Sequence, residues 1–241
     1  MVRVLLAAVL MHAAFIHPSL AMAAEPVVLQ YGQRPPFMGR DADGNVTGIL
    51  VAPAIAAFAK AGIPIVWSES SPPRQLAIIQ ANNSRTCALG RYKTPERAAY
   101  ARFTKSFYQD APSVAVANLN FKVPDNIRAA DLMADPSLTV LFKNDILLGP
   151  YTQDLIAHMK AKQVGTGESY EQMIKMVVAG RAQFAFISGE EEGYYRDKLG
   201  AAAKEFRILH FTDMPPGEKR YIMCSKMIDE AEIEKINAGL K

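Results

Sequence analysis

Thr86-Cys87-Ala88-Leu89-Gly90, then Arg91-Tyr92-Lys93, then Thr94-Pro95-Glu96-Arg97, is the stretch on which the fold reading turns. Thr86 to Gly90 is a short apolar strand that runs into a loop. Thr94 can accept from an orphan backbone N–H as N-cap, Pro95 fits the first helical position, and Glu96 suits the positive helix end. Upstream, Val27 to Tyr31 reads as a buried strand and Asp41 to Asn45 as a turn. Leu50 to Ala61 follows with Val51, Ile55 and Phe58 on one helical face, and Gly62 stops it. Ile63 to Trp67 is the next expected strand, and Pro72-Pro73 opens a helix ending at Asn82-Asn83. Beyond a strand at Ser113 to Ala117 the alternation starts again. A strand is expected at Leu138 to Phe142, a helix at Tyr151 to Met159, and a capping box Ser169–Gln172 opening a helix that stops at Gly180. Strands at Phe184 to Ile187 and Tyr221 to Cys224 and a helix capped by Asp229 complete the chain. Alternating strand and helix predicts an α/β fold with parallel sheets.

The N-terminus predicts export. Arg3 is the only charge before Glu25, the apolar run Val4 to Ile16 follows, and Ala21-Met22-Ala23 is a small-x-small cleavage pattern. The run is shorter than the roughly 20 residues a membrane span needs, so residues 1–23 read as a signal peptide. No cysteine lies near the cleavage point for a lipid anchor. With 27 basic and 24 acidic residues the formal charge is +3. The basic residues are scattered, which argues against a nucleic-acid or membrane-surface partner. Cys87 and Cys224 are the two cysteines. In an oxidising compartment two thiols are more often paired than free, and the alternative is two small buried apolar groups.

Several chemistries find no support. Asp41-Ala42-Asp43-Gly44-Asn45 resembles a calcium loop only superficially, because Val46 stands where that loop needs Gly and Ala52 where it needs Glu. The expectation is no metal and no cofactor. Past the leader the histidines are His158 and His210, and no nucleophile elbow or phosphate loop is present.

Set in order, Pro35-Pro36-Phe37, Asp43-Gly44 with Thr47-Gly48, Ala61-Gly62-Ile63, Thr94-Pro95-Glu96-Arg97, Phe103-Thr104, Phe107-Tyr108 and Ala179-Gly180-Arg181 resemble the bacterial extracellular solute-binding proteins of family 3. That family contains periplasmic amino-acid receptors. The resemblance implies a two-lobed, type II periplasmic-binding-protein-like fold with two chain crossings. Lobe one would be residues 24–117 and 212–241, and lobe two residues 118–211. It would also set the strand of Cys224 beside that of Cys87, placing a disulfide within lobe one.

The resemblance further implies a site. Arg97 matches the residue that holds a ligand carboxylate, and a guanidinium fork suits that task. Read from the residues alone, Arg97 is a solvated helix arginine paired with Glu96 or a neighbour. Gly90 and Tyr92 match the ligand loop, and Phe37 an aromatic wall, with a core aromatic as its alternative reading. Arg34 and Arg74 lie at strand-to-helix mouths, and Tyr151 at a lobe-two helix start, where free N–H groups can receive an anion. One departure stands out. The aspartate that holds a ligand ammonium, eight residues after Gly180, is Ser188 here, with Glu190, Glu191 and Glu192 close behind. The expectation is a monomeric periplasmic binder of a carboxylate-bearing small molecule, served by a membrane permease. A sensor input reporting to a membrane partner and a dehydratase-like enzyme on the same fold are the alternatives.

Overall fold

The computed structural model describes residues 25–144 and 148–241, so the expected signal peptide lies outside the described residues. The first part of the chain runs β1 (Val27–Tyr31), β2 (Gly39–Arg40), β3 (Val46–Thr47), α1 (Val51–Ala61), β4 (Ile65–Glu69), α2 (Pro72–Ala81), β5 (Thr86–Arg91), α3 (Pro95–Tyr100), β6 (Arg102–Phe103) and β7 (Tyr108–Gln109). The middle runs β8 (Val114–Asn118), α4 (Ala129–Met133), β9 (Thr139–Lys143), α5 (Pro150–His158), β10 (Lys162–Thr166), α6 (Tyr170–Val178), β11 (Phe184–Ile187), α7 (Gly189–Leu199) and β12 (Phe206–Leu209). The return adds β13 (Lys219–Cys224) and α8 (Glu230–Gly239).

Two sheets result. One has the order β4-β1-β5-β13-β6, with β7 also on β13, and the other β10-β9-β11-β8-β12. The chain thus passes from the first sheet to the second between β7 and β8, and back between β12 and β13. The sheets are mixed rather than parallel throughout. β1 runs parallel to β4 and β5, but β13 is antiparallel to β5, and β8 is antiparallel to β11 and β12. A strand arriving from the other lobe need not obey the right-handed crossover that makes local βαβ pairs parallel.

Local chemistry explains the boundaries. Thr94 Oγ1 accepts from the Arg97 N–H at 3.2 Å and Pro95 opens α3. Gly62 closes α1 at φ 69°, a left-handed position that favours glycine. β4 starts two residues later than the pattern suggests, after Pro64, whose carbonyl accepts from the Val27 N–H at 2.8 Å. Ser169 caps α6 through the Gln172 N–H at 3.2 Å.

Each sheet has its own core. Leu29, Phe58, Leu89, Ile222 and Ile236 are buried in the first. Two clusters flank the second, one with Met173, Ile174 and Val177 of α6, the other with Val140, Phe184 and Phe186. Between the lobes the two crossing segments touch. A side chain at Gly217 would meet the Asp110 and Ala111 carbonyls at 2.5 and 2.6 Å, so only hydrogen fits.

Cys87 and Cys224 are register partners on β5 and β13 and form a disulfide, with Cα atoms 3.9 Å apart. The bond spans 137 residues and joins two strands of one sheet. It therefore staples the return strand without tying the lobes together. The chain-entropy account gives up to ~4–5 kcal/mol for a loop this long. Replacing both cysteines by alanine should lower the urea midpoint accordingly, and superimposable unfolding curves for parent and variant would contradict a structural role.

Candidate functional site

A cleft of about 470 Å³ opens between the lobes, in the size range of small-molecule sites. From the first lobe it is lined by Gly32 to Arg34 after β1, Glu69 to Pro73 between β4 and α2, Gly90 and Arg91 at the end of β5, and Arg220. From the second lobe come Lys143 and Asn144 after β9, Gly167, and Tyr170 at the start of α6. These are the carboxyl ends of parallel strands, where α/β folds place ligands.

Four arginines dominate the cleft and its wall, and they are not equivalent. Arg220 is 4% exposed and Asp110 5%. Arg220 Nε and Nη2 donate to the two Asp110 oxygens at 2.5 and 2.7 Å, and Nη1 donates to the Gly90 carbonyl at 2.9 Å. Its guanidinium lies 4.3 Å from the centre of the Phe37 ring. Arg34 reaches across the cleft to the fully buried Glu191 of α7, Nε to Oε1 at 3.0 Å and Nη2 to Oε2 at 3.4 Å. Burial works to lower the Arg34 pKa, but the Glu191 charge and hydrogen bonds and the nearby Tyr170 and Tyr92 outweigh it and hold the guanidinium well above its usual range.

Arg91 and Arg97 have no such partners. Among the described residues neither forms an ion pair. Arg91 donates to Gln75 Oε1, its Nε is buried without a partner, and Gln75 is held by its own bond to the Ser70 carbonyl at 2.6 Å. Burial, then the charges of Arg97, Arg220 and Arg34, push Arg91 down to about 9, still cationic at neutral pH. Arg97 Nη1 donates to the Tyr92 carbonyl at 3.0 Å.

The residues singled out in the sequence fall into three groups. Gly90 lines the cleft, while Arg97 and Tyr92 do not and are joined to each other through the Tyr92 carbonyl. The Tyr92 hydroxyl donates to Asp110 at 2.7 Å, and burial helps raise its pKa to about 12. Phe37 is fully buried, with the cleft-lining Arg34 and Arg220 guanidiniums over its ring. Ser188 caps α7 in a box with Glu191, and Glu190 Oε1 accepts from the Tyr108 hydroxyl at 2.9 Å and the Ala111 N–H at 2.6 Å. The third group, like Arg97, Tyr92, Phe37, Ser188 and Glu190, is not among the cleft-lining residues, so Gly90 and Arg34 are the expected residues that the cleft brings together. Arg74 is exposed on α2, and the Tyr151 hydroxyl donates to Asp213 at 2.8 Å. Glu191 had a readable signal, since Ser188-x-x-Glu191 is a capping-box pattern. Arg91, Asp110 and Arg220 had none, because nothing local separates them from surface charges.

A cleft between two α/β lobes, crossed twice by the chain, is the architecture of periplasmic solute-binding proteins. The chain belongs to the bacterial extracellular solute-binding proteins, family 3, whose family model matches residues 27–239. Among solved structures it is similar to an ancestral arginine-binding protein bound to arginine, at TM-score 0.70 and 16% identity over 89% of both chains. A periplasmic His/Glu/Gln/Arg/opine family-binding protein from Silicibacter pomeroyi in complex with lysine gives TM-score 0.65 and 19% identity, over 89% of this chain and 88% of that one. An ancestral amino-acid-binding protein, a precursor of cyclohexadienyl dehydratase, gives TM-score 0.68 and 19% identity over 89% and 86%. No curated protein matches the chain at a significant level.

Two stability measurements check this electrostatic picture. Asp110→Ala strands the buried Arg220 charge and should cost about 3–5 kcal/mol, read by denaturant unfolding. Arg91 carries its charge at a cost that is full below about pH 9 and shrinks as the pH rises above it. Arg91→Met should therefore leave the ligand-free protein as stable or more stable, by ~1 kcal/mol, or about 2–4 °C in a melt. A clear loss would mean that Arg91 has a structural role.

Proposed function

We propose that this protein is the periplasmic capture component of an ABC-type uptake system and holds a small carboxylate-bearing molecule between its lobes. The observation that carries the reading is the Arg91 guanidinium, which lines the cleft with no acid against it among the described residues, with the half-buried Arg97 of α3, likewise without an acid, next to the same loop. A buried cation left uncompensated in the free protein is costly, and an arriving carboxylate with bidentate hydrogen bonds is the group that relieves it. The likeness to a substrate-binding protein of an amino acid ABC transporter supports the uptake role. On this reading residues 1–23 are the leader, the lobes divide between β7 and β8, ahead of the expected residue 117, and near residue 212, the partner is a membrane permease, and the protein acts as a monomer.

Binding rather than catalysis is the favoured reading. His158 and His210 are largely exposed, at 76% and 49%, and both lie outside the set that lines the cleft. Neither stands where a general acid or base would meet a ligand.

The test is a thermal-shift screen of the mature protein against organic acids and amino acids, followed by calorimetry on variants. Arg97→Ala should weaken binding of the ligand found by at least about thirtyfold, the loss expected on removing one side of a buried charge pair. Equal affinity for Arg97→Ala and the parent would end the carboxylate reading at that position.

A further inference from the structure

The cleft offers hydrogen-bond donors and positive charge, and the described acids at or near it are engaged by the protein's own side chains. We propose that the ligand is an organic anion without an amine, because Arg34 already occupies the second-lobe carboxylate that an amine would need. This inference rests on the solute-binding reading above and specifies its ligand class.

Glu191 is the fully buried acid at the start of α7. Both its oxygens are taken. Oε1 accepts from Arg34 Nε at 3.0 Å, and Oε2 accepts from Arg34 Nη2 at 3.4 Å and from the Ser188 N–H at 2.8 Å. Arg34 lines the cleft and Glu191 does not, so the guanidinium screens the carboxylate from whatever enters. The rings of Phe37 and Tyr170 lie 4.9 and 5.4 Å from that guanidinium and add cation–π contact. The protein thus supplies internally the cation that an amino-acid ligand would bring.

Among the described residues no other acid replaces it. Glu190 spends Oε1 on Tyr108 and Ala111, and its buried, unpartnered Oε2 belongs to a residue outside the cleft-lining set. Glu69 stands at the cleft, where its Oε2 accepts from Tyr31 and Gln33 and lies 3.7 Å from Arg40. Among the described residues, the buried side-chain atoms without partners at the cleft are Arg91 Nε and the Tyr170 hydroxyl, both able to donate. An ammonium entering beside Arg34 and Arg91 meets like charge, and the cleft-lining acid Glu69 stands against Arg40, Tyr31 and Gln33, whereas a carboxylate flanked by a hydroxyl or keto oxygen satisfies these donors. Exclusion by like charge is a strong way to tell otherwise similar ligands apart.

Two measurements test the inference on the mature protein. The first is calorimetry with matched pairs that differ only at the amine: malate and aspartate, 2-oxoglutarate and glutamate, lactate and alanine. The hydroxy or keto member should bind at least about tenfold tighter wherever either binds. The second uses Arg34→Ala, which leaves Glu191 unpaired. Methylguanidinium chloride at low millimolar concentration should raise the melting temperature of this variant and leave the parent unchanged, with sodium chloride as the ionic-strength control. Arg34→Gln, which keeps a neutral donor against Glu191, carries the same test if the alanine variant does not fold. An amino acid bound as tightly as its hydroxy or keto analogue would overturn the inference, and so would folded Arg34 variants that ignore methylguanidinium. If no pair binds the parent, the methylguanidinium response decides alone. An amine-bearing ligand that still depends on Arg97 would end this inference and leave the solute-binding reading standing.

Discussion

The Arg220–Asp110 pair is the interaction on which the rest of the site depends. Asp110 lies on the outgoing crossing and Arg220 on the return strand, so the pair locks the two crossing segments side by side. The same guanidinium holds the Gly90 carbonyl, and its face covers Phe37. A buried ion pair is a poor source of net stability, since desolvation offsets most of the attraction. What it supplies is definition. One guanidinium holds both oxygens of Asp110 and the Gly90 carbonyl, which ties the end of β5 to both crossing segments. The close approach at Gly217 depends on the same alignment.

From that anchor the cleft acquires its polarity. Each of two arginines has a dedicated acid, Arg220 with Asp110 and Arg34 with Glu191. Arg91 has only the buried amide of Gln75, and Arg97 a backbone carbonyl. A core selected for stability alone would not keep a guanidinium in that state. The imbalance makes physical sense in a protein that completes its charge pairing with a molecule from outside.

The fold was largely legible. Strands such as Val27–Tyr31 and helices such as Val51–Ala61 announce themselves because their burial repeats with the period of the element and Gly62 or Thr94 marks the end. β10 escaped because Lys-Gln-Val-Gly-Thr sits on a sheet edge and buries only Thr166. α7 escaped because Gly-Glu-Glu-Glu-Gly offers no apolar stripe, and what starts it is the Ser188–Glu191 cap.

The sequence by itself determined the alternation of elements, because periodicity and caps are local facts; its motifs carried the resemblance to the family, and a count of two cysteines allowed one internal pairing without deciding that it forms. Only the tertiary structure decided which arginine is neutralised and which is not. Arg34 and Glu191 are 157 residues apart, and Arg220 and Asp110 are 110 apart. Charge compensation depends on distances of a few ångströms set by the crossing of two lobes, and no local pattern encodes them.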